Sequence, residues 1–317
     1  MLAGMPSTEI SAIILKSPEN TLEIAKKAVV ENGFYIPIYD IEGNLLFAPE
    51  DFDAIYKDLN LKVEVDSVWD YSLEIGERAG SNPGAFLVVP GKQGTEKYYV
   101  KFEYPESPYQ IWMEKLAEDI YRLLDVPVPK TKVVALMRGG SKVYGHASLI
   151  ISGRPGDSQE IKSLPSWRAG FLADCLLANW DIPYAPERNV IIGEDGQVYR
   201  IDNGGALIYR ARGQLKTELE GNLFSSTVNE LKLGTNHERL GLGMRQEYPG
   251  LTEEELREQA KKIRERLTDE KIDELVDSIR SPQKDRDYLK RILKERRNFI
   301  LANVERIIEE VKEENKK

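Results

Sequence analysis

Cysteine and histidine are nearly absent from this 317-residue chain. One cysteine, Cys175, excludes a disulfide scaffold and a cysteine-rich zinc module. Two histidines, His146 and His237, leave little room for a His-ligated metal site. Long apolar runs are missing as well. The longest near the start, Ala12 to Leu15, is too short for a signal-peptide core, and no segment approaches a membrane span. Without a basic start or such a span, the expectation is a cytoplasmic protein. Positive charge is not in excess either. Lys+Arg number 44 against 53 Asp+Glu, a net charge of −9, which argues against broad nucleic-acid binding. What is present is apolar material. At 41% hydrophobic residues the chain can build a sizeable core, and its length suits one large domain or two modest ones.

The hydrophobic pattern divides the chain into three parts. Residues 1–66 read as a small α/β appendage, with a strand at Ile10 to Leu15, a helix opening at Ser17-Pro18, and a hairpin turning at Glu42-Gly43-Asn44. No motif there points to chemistry, so docking or regulation is the expectation. Residues 67–155 are mostly strand. They include Lys97 to Glu103, one helix over 108–125 ended by Pro127 and Pro129, and strands at Lys132 to Met137 and His146 to Ser152. Residues 156–317 are mainly helical. An apolar helix is expected over Pro165 to Asn179, a loop over Asp181 to Arg188, and a hairpin turning at Gly193-Glu194-Asp195-Gly196. Thr252 with Glu255 forms a capping box. Ser281-Pro282 reads as an N-cap followed by Pro, opening a last helix with an apolar stripe from Leu289 to Val311.

Three places carry residues suited to chemistry. Residues 76–88 set Gly76, Gly80 and Gly84 between strands, where glycine lets backbone N–H groups approach phosphates. Lys101 sits in mid-strand between Val100 and Phe102, where a buried charge needs an anionic partner. Glu114, thirteen residues on in the following helix, is one candidate; Glu118, a turn later on the same face, is the other. The third place is residues 173–207. Asp181 follows a helix, Asn189 begins the hairpin and Asp202 ends it, so the hairpin returns Asp202 toward Asn189. A carboxylate and an amide oxygen brought together suit Mg²⁺, a hard cation that prefers oxygen ligands.

This order of parts resembles the protein-kinase-like fold: glycine-bearing strand turn, strand Lys, helix Glu, loop Asp, Asn, hairpin, Asp-x-Gly. The thirteen residues from Asn189 to Asp202 match the interval usual in kinases, and Asp202-Asn203-Gly204 resembles Asp-Phe-Gly. Asn179-Trp180-Asp181 stands where His-Arg-Asp is usual, the eight residues from Asp181 to Asn189 are a longer loop, and no Ala-Pro-Glu is present. The pattern is closer to the atypical group of HipA toxin kinases, actin-fragmin kinase and phosphatidylinositol kinases. The resemblance spans roughly residues 70–310.

The resemblance implies an α+β, bilobal protein-kinase-like fold, with a β-rich N-lobe over 67–155 and a helical C-lobe over 156–317. It implies ATP and Mg²⁺ as cofactors. Lys101 would contact phosphates with Glu114 as its ion-pair partner, and Gly80, Ser81 and Gly84 would lie over them. Asp181 would orient the acceptor hydroxyl and take its proton; Asn189 and Asp202 would hold the metal. The implied activity is ATP-dependent phosphoryl transfer to a protein Ser/Thr hydroxyl. Nucleotidyl transfer on the same fold, and a non-catalytic binding or assembly module, are the alternatives.

Overall fold

The computed structural model describes residues 13–15, 18–31, 38–40, 45–47, 72–74, 84–91, 94–103, 107, 109–138, 141–210, 213, 215–216, 224–234, 243–314 and 316. Helices and sheets are mixed along them. β1 (Ile13–Leu15) pairs in parallel with β2 (Ile38–Asp40), and α1 (Pro18–Glu31) supplies the crossover that a parallel pair requires. β3 (Leu45–Phe47) then pairs antiparallel with β2. The expected turn at 42–44 lies outside the described residues.

A five-stranded antiparallel sheet follows: β4 (Ser72–Glu74), β5 (Gly84–Gly91), β6 (Gly94–Phe102), β7 (Thr131–Arg138) and β8 (Ser141–Leu149), in the order β4-β5-β6-β8-β7. β8 begins before the expected His146 because it is the return arm of β7, pairing Ser141 with Arg138. β6 is central. Tyr98, Val100 and Phe102 are buried on one face, and the two-residue period puts Lys101 on the other. α2 (Gln110–Leu123) packs across β7 and β8. Its buried face carries Ile111, Trp112, Leu116 and Ile120, and with them Glu114 and Glu118. Asp125 then turns the chain with φ 57°, ahead of Pro127 and Pro129.

The remainder is helical around one hairpin: β9 (Gly153–Arg154), α3 (Ser158–Ser163), α4 (Pro165–Arg168), α5 (Phe171–Leu177), α6 (Asp181–Tyr184), α7 (Pro186–Asn189), β10 (Val190–Gly193), β11 (Val198–Arg200), α8 (Glu253–Arg266), α9 (Asp269–Asp277) and α10 (Gln283–Glu314). Three local expectations are corrected. The helix over 165–179 is broken around Gly170, where the Arg200 guanidinium leaves room for no side chain. The loop over 181–188 forms two short helical turns, the second opened by Pro186. Ser281 is not the cap of the last helix. Pro282 holds that place, its carbonyl accepting from Arg286 N, while Ser281 Oγ is buried with no partner. The capping box of Thr252 and Glu255 is formed at α8, and the stripe from Leu289 to Val311 is buried. α2, β7, β8 and the later helices share one continuous apolar core.

Candidate functional site

The register of the sheet sets the site. Lys101 on β6 stands directly between Gly84 on β5 and His146 on β8. Cross-strand partners share a face, so Lys101 and His146 both meet α2. Glu114 and Glu118, four residues apart, present their carboxylates side by side there. Lys101 Nζ donates to Glu114 Oε1 at 2.6 Å and to Asp202 Oδ1 at 2.8 Å. His146 Nε2 lies 2.9 Å from Glu118 Oε2. The choice between Glu114 and Glu118 is thereby resolved: Glu114 pairs with Lys101 and Glu118 with His146.

The hairpin closes as its spacing requires. Val190 pairs with Arg200, and Ile201 N donates to Asn189 O at 2.9 Å, which brings Asp202 back beside Asn189. Asn189 Nδ2 donates to the carbonyls of Asp181 at 2.8 Å and Ala185 at 3.1 Å. Both amide hydrogens are thus used on the loop, and Asn189 Oδ1 accepts from no described residue. The Asp202 side chain is 48% exposed, and its Oδ2 also accepts from none. These two free oxygens are the donor set a hard divalent cation takes, so the residues fit Mg²⁺.

Asp181 lies against the same turn. A Cβ on Gly205 would come within 2.1 Å of Asp181 Oδ2, so glycine is required for this carboxylate to sit here. Burial, and then the neighbouring Asp202 charge, push the Asp181 carboxyl above its ordinary range. The Lys101 ammonium holds the Asp202 carboxyl below it. Burial opposes the Lys101 charge in turn, and the Asp202 and Glu114 carboxylates outweigh it, holding the ammonium above the usual lysine range.

Of the three residues expected over phosphates, Gly84 is placed beside Lys101. A Cβ there would meet the Tyr99 hydroxyl oxygen at 2.5 Å. Gly80 and Ser81 lie outside the described residues.

Several residues around the site carry no local signal in the sequence. Asn203 is fully buried. Its N–H donates to Glu114 Oε1 at 3.1 Å and its Nδ2 to Glu118 Oε1 at 3.3 Å, while its Oδ1 accepts from Asn179 Nδ2. Gln110 Nε2 donates to Gly204 O at 2.9 Å. α2 thus holds the Asp202 turn from above through Gln110, Glu114 and Glu118. Among the described residues Glu114, Glu118 and His146 also lie close enough to share a cation. Lys101 and Asn203 already occupy Glu114 Oε1, and His146 and Asn203 occupy Glu118. Asp174, on α5, faces inward instead. It takes Arg200 in a buried pair at 2.6 Å together with the hydroxyls of Tyr121 and Tyr248.

No protein-family model matches this chain, and no curated protein matches it. Among solved structures, the crystal structure of a Helicobacter pylori proinflammatory kinase, CtkA, is similar over 78% of this chain and 99% of that chain, with a TM-score of 0.49 and 17% sequence identity. Among the described residues no helix is long and apolar enough to cross a membrane.

Proposed function

We propose that the chain is an ATP- and Mg²⁺-dependent phosphotransferase of the atypical kinase type. Residues 67–155 and 156–317 would be its two lobes and residues 1–66 an appendage. One observation carries the reading: Lys101 Nζ bridges the helix carboxylate Glu114 and the turn carboxylate Asp202, while Asn189 anchors the loop of Asp181. Two donors of the Lys101 ammonium are used in this way, which leaves the third for a phosphate oxygen. A buried lysine facing two carboxylates leaves an excess of negative charge that a structural ion pair has no need of.

Asp202 Oδ2 and Asn189 Oδ1 would hold Mg²⁺, whose contribution when bound is to neutralise charge on the phosphates. Asp181 receives the proton of the acceptor hydroxyl. The acceptor oxygen forms its bond to the γ-phosphorus as the bond to the ADP oxygen breaks. Its raised carboxyl makes Asp181 a better proton acceptor than an ordinary aspartate. The acceptor class, a protein Ser/Thr hydroxyl, rests on the resemblance of residues 173–207 to kinase-like modules. The test is incubation of the protein with Mg·ATP and a Ser/Thr peptide library, read by mass. An added phosphate supports the proposal. An added AMP would move it to nucleotidyl transfer, and unmodified peptides with bound nucleotide would favour another acceptor.

A further inference from the structure

The helix that leads into the Asp181 loop ends in an unusual way. A helix leaves its last carbonyls without intrahelical partners, and here each one can be accounted for. Asp174 O accepts from Asn179 N, and Leu177 O accepts from Leu207 N at 2.7 Å. Cys175 O and Leu176 O accept from the Arg296 guanidinium of α10. Ala178, in the left-handed region with φ 48°, offers its carbonyl to Lys216 Nζ at 2.8 Å. The same ammonium donates to Gly205 O at 3.0 Å and Leu207 O at 2.6 Å. All three of its donors are therefore spent on backbone carbonyls. One carbonyl belongs to the segment leading to Asp181, and two belong to the turn that follows Asp202.

The surroundings enclose this amine. Lys216 is 6% exposed, and its Nζ lies 4.6 Å from the centre of the Trp180 ring, the residue next to Asp181. Trp180 Nε1 in turn donates to Glu230 Oε1, and Glu230 faces Arg296 at 3.0 Å. The three carbonyl acceptors are all met only by the protonated amine, while burial pulls the Lys216 pKa down to about 7, Glu230 and Asp181 opposing that and Arg296 and Arg210 adding to it. None of them forms a direct ion pair with it. A buried amine with no carboxylate partner among the described residues is costly to charge unless its hydrogen bonds serve a purpose. The segments it joins are also linked by Leu207 N to Leu177 O, by Ile201 N to Asn189 O, and by Asn179 Nδ2 to Asn203 Oδ1, but only Lys216 reaches three carbonyls across them.

We propose that Lys216 is a positioning residue, an internal hydrogen-bonding clamp that fixes the segment carrying Asp181 against the turn carrying Asp202. This rests on the phosphotransferase reading only for its consequence in turnover; the clamp itself is a property of the fold. The ammonium touches neither the free oxygens of Asp202 and Asn189 nor Lys101. Losing it therefore leaves the nucleotide contacts intact and loosens the placement of Asp181. A misplacement of about 1 Å costs a reaction on the order of a hundredfold.

The test uses the full chain and Lys216→Met, which keeps the length and apolar stem but removes every donor. Hydrogen exchange read by mass spectrometry is expected to rise in residues 178–182 and 205–209 together, with residues 283–314 unchanged. A rise in only one of the two segments, or in neither, would overturn the clamp. Lys216→Gln, with two donors left, is measured in the same way and carries the test should the Met variant not fold; it is expected to lie between wild type and full loss. The second readout is Mg·ATP turnover beside Mg·ADP affinity. Turnover falling at least about tenfold, with affinity held within about threefold, supports the positioning role. Unchanged turnover contradicts it. A wild-type protein that binds no Mg·ADP would sink the phosphotransferase reading, and the exchange result alone would then decide the clamp.

Discussion

Asp174 and Asp202 are both aspartates held by a cation from a neighbouring element, and Asn179 links their surroundings. Its Nδ2 reaches the Tyr121 hydroxyl on one side and Asn203 Oδ1 on the other. The two differ in what is left over. Asp174 takes the Arg200 guanidinium on both oxygens, the Tyr121 hydroxyl on one and the Tyr248 hydroxyl on the other. It is fully buried, matched charge for charge, and walled by Trp167 stacked on Tyr248. Asp202 shares one lysine with Glu114, keeps one oxygen free and is half exposed. A carboxylate with both oxygens taken and its charge matched can hold a fold but offers a ligand no free oxygen. An unsaturated carboxylate beside an over-subscribed lysine has capacity for both a cation and an anion.

Exchanging the damage between these two carboxylates is the hardest test of that contrast. Asp174→Ala leaves Arg200 buried and unpaired, and is expected to cost about 3–5 kcal/mol of stability in a denaturant titration. Asp202→Ala is expected to change stability little and to remove Mg²⁺-dependent nucleotide binding. Equal destabilisation by the two would erase the distinction. Asp181→Asn comes next, with turnover lower by about 10²–10⁴ while nucleotide affinity is kept, read by steady-state kinetics beside calorimetry. Unchanged turnover would remove Asp181 as proton acceptor. Lys101→Ala should weaken nucleotide binding about tenfold to a hundredfold, the worth of a charge-assisted contact of about 1.5–3 kcal/mol.

A smaller effect lies in pH. Burial works against a charged His146, but the Glu118 carboxylate, hydrogen-bonded to it, and the Glu114 carboxylate outweigh burial and hold its pKa above the ordinary value of 6.5. The stabilisation is therefore complete below that value and lost as pH rises through the raised native one. Thermal melts from pH 6 upward should show stability declining on this limb in wild type, and a flatter limb in His146→Gln. Parallel limbs would count against the pair. The smallest effect belongs to an exposed helix cap. Thr252→Ala removes the α8 capping box at a cost of about 1 kcal/mol, with no change in nucleotide affinity.

The parts of the candidate site that could be read from the chain are those set by spacing. The hairpin arms fix where Asp202 returns relative to Asn189, and the β6-to-α2 step places Glu114 against Lys101. What could not be read depends on partners far along the chain. His146 meets Glu118 twenty-eight residues away, and Lys216 reaches Ala178 across thirty-eight. The break at Gly170 has the same origin. Apolar periodicity runs on through it, and the demand for glycine there comes from the Arg200 guanidinium thirty residues later. Ser281 shows the limit of cap rules: burial of its hydroxyl, decided by packing, overrode the local Ser-Pro signal. The apolar stripe of α10 was readable, yet Arg296 within it was not, because its acceptors are carbonyls of α5.

The most direct measurement is a calorimetric titration of the protein with ADP, with and without Mg²⁺, in wild type and Asp202→Ala. The account predicts binding in wild type that depends on Mg²⁺ and is lost in the variant, with both proteins folded. Mg·ADP binding that is retained in Asp202→Ala, or absent from wild type, would contradict it.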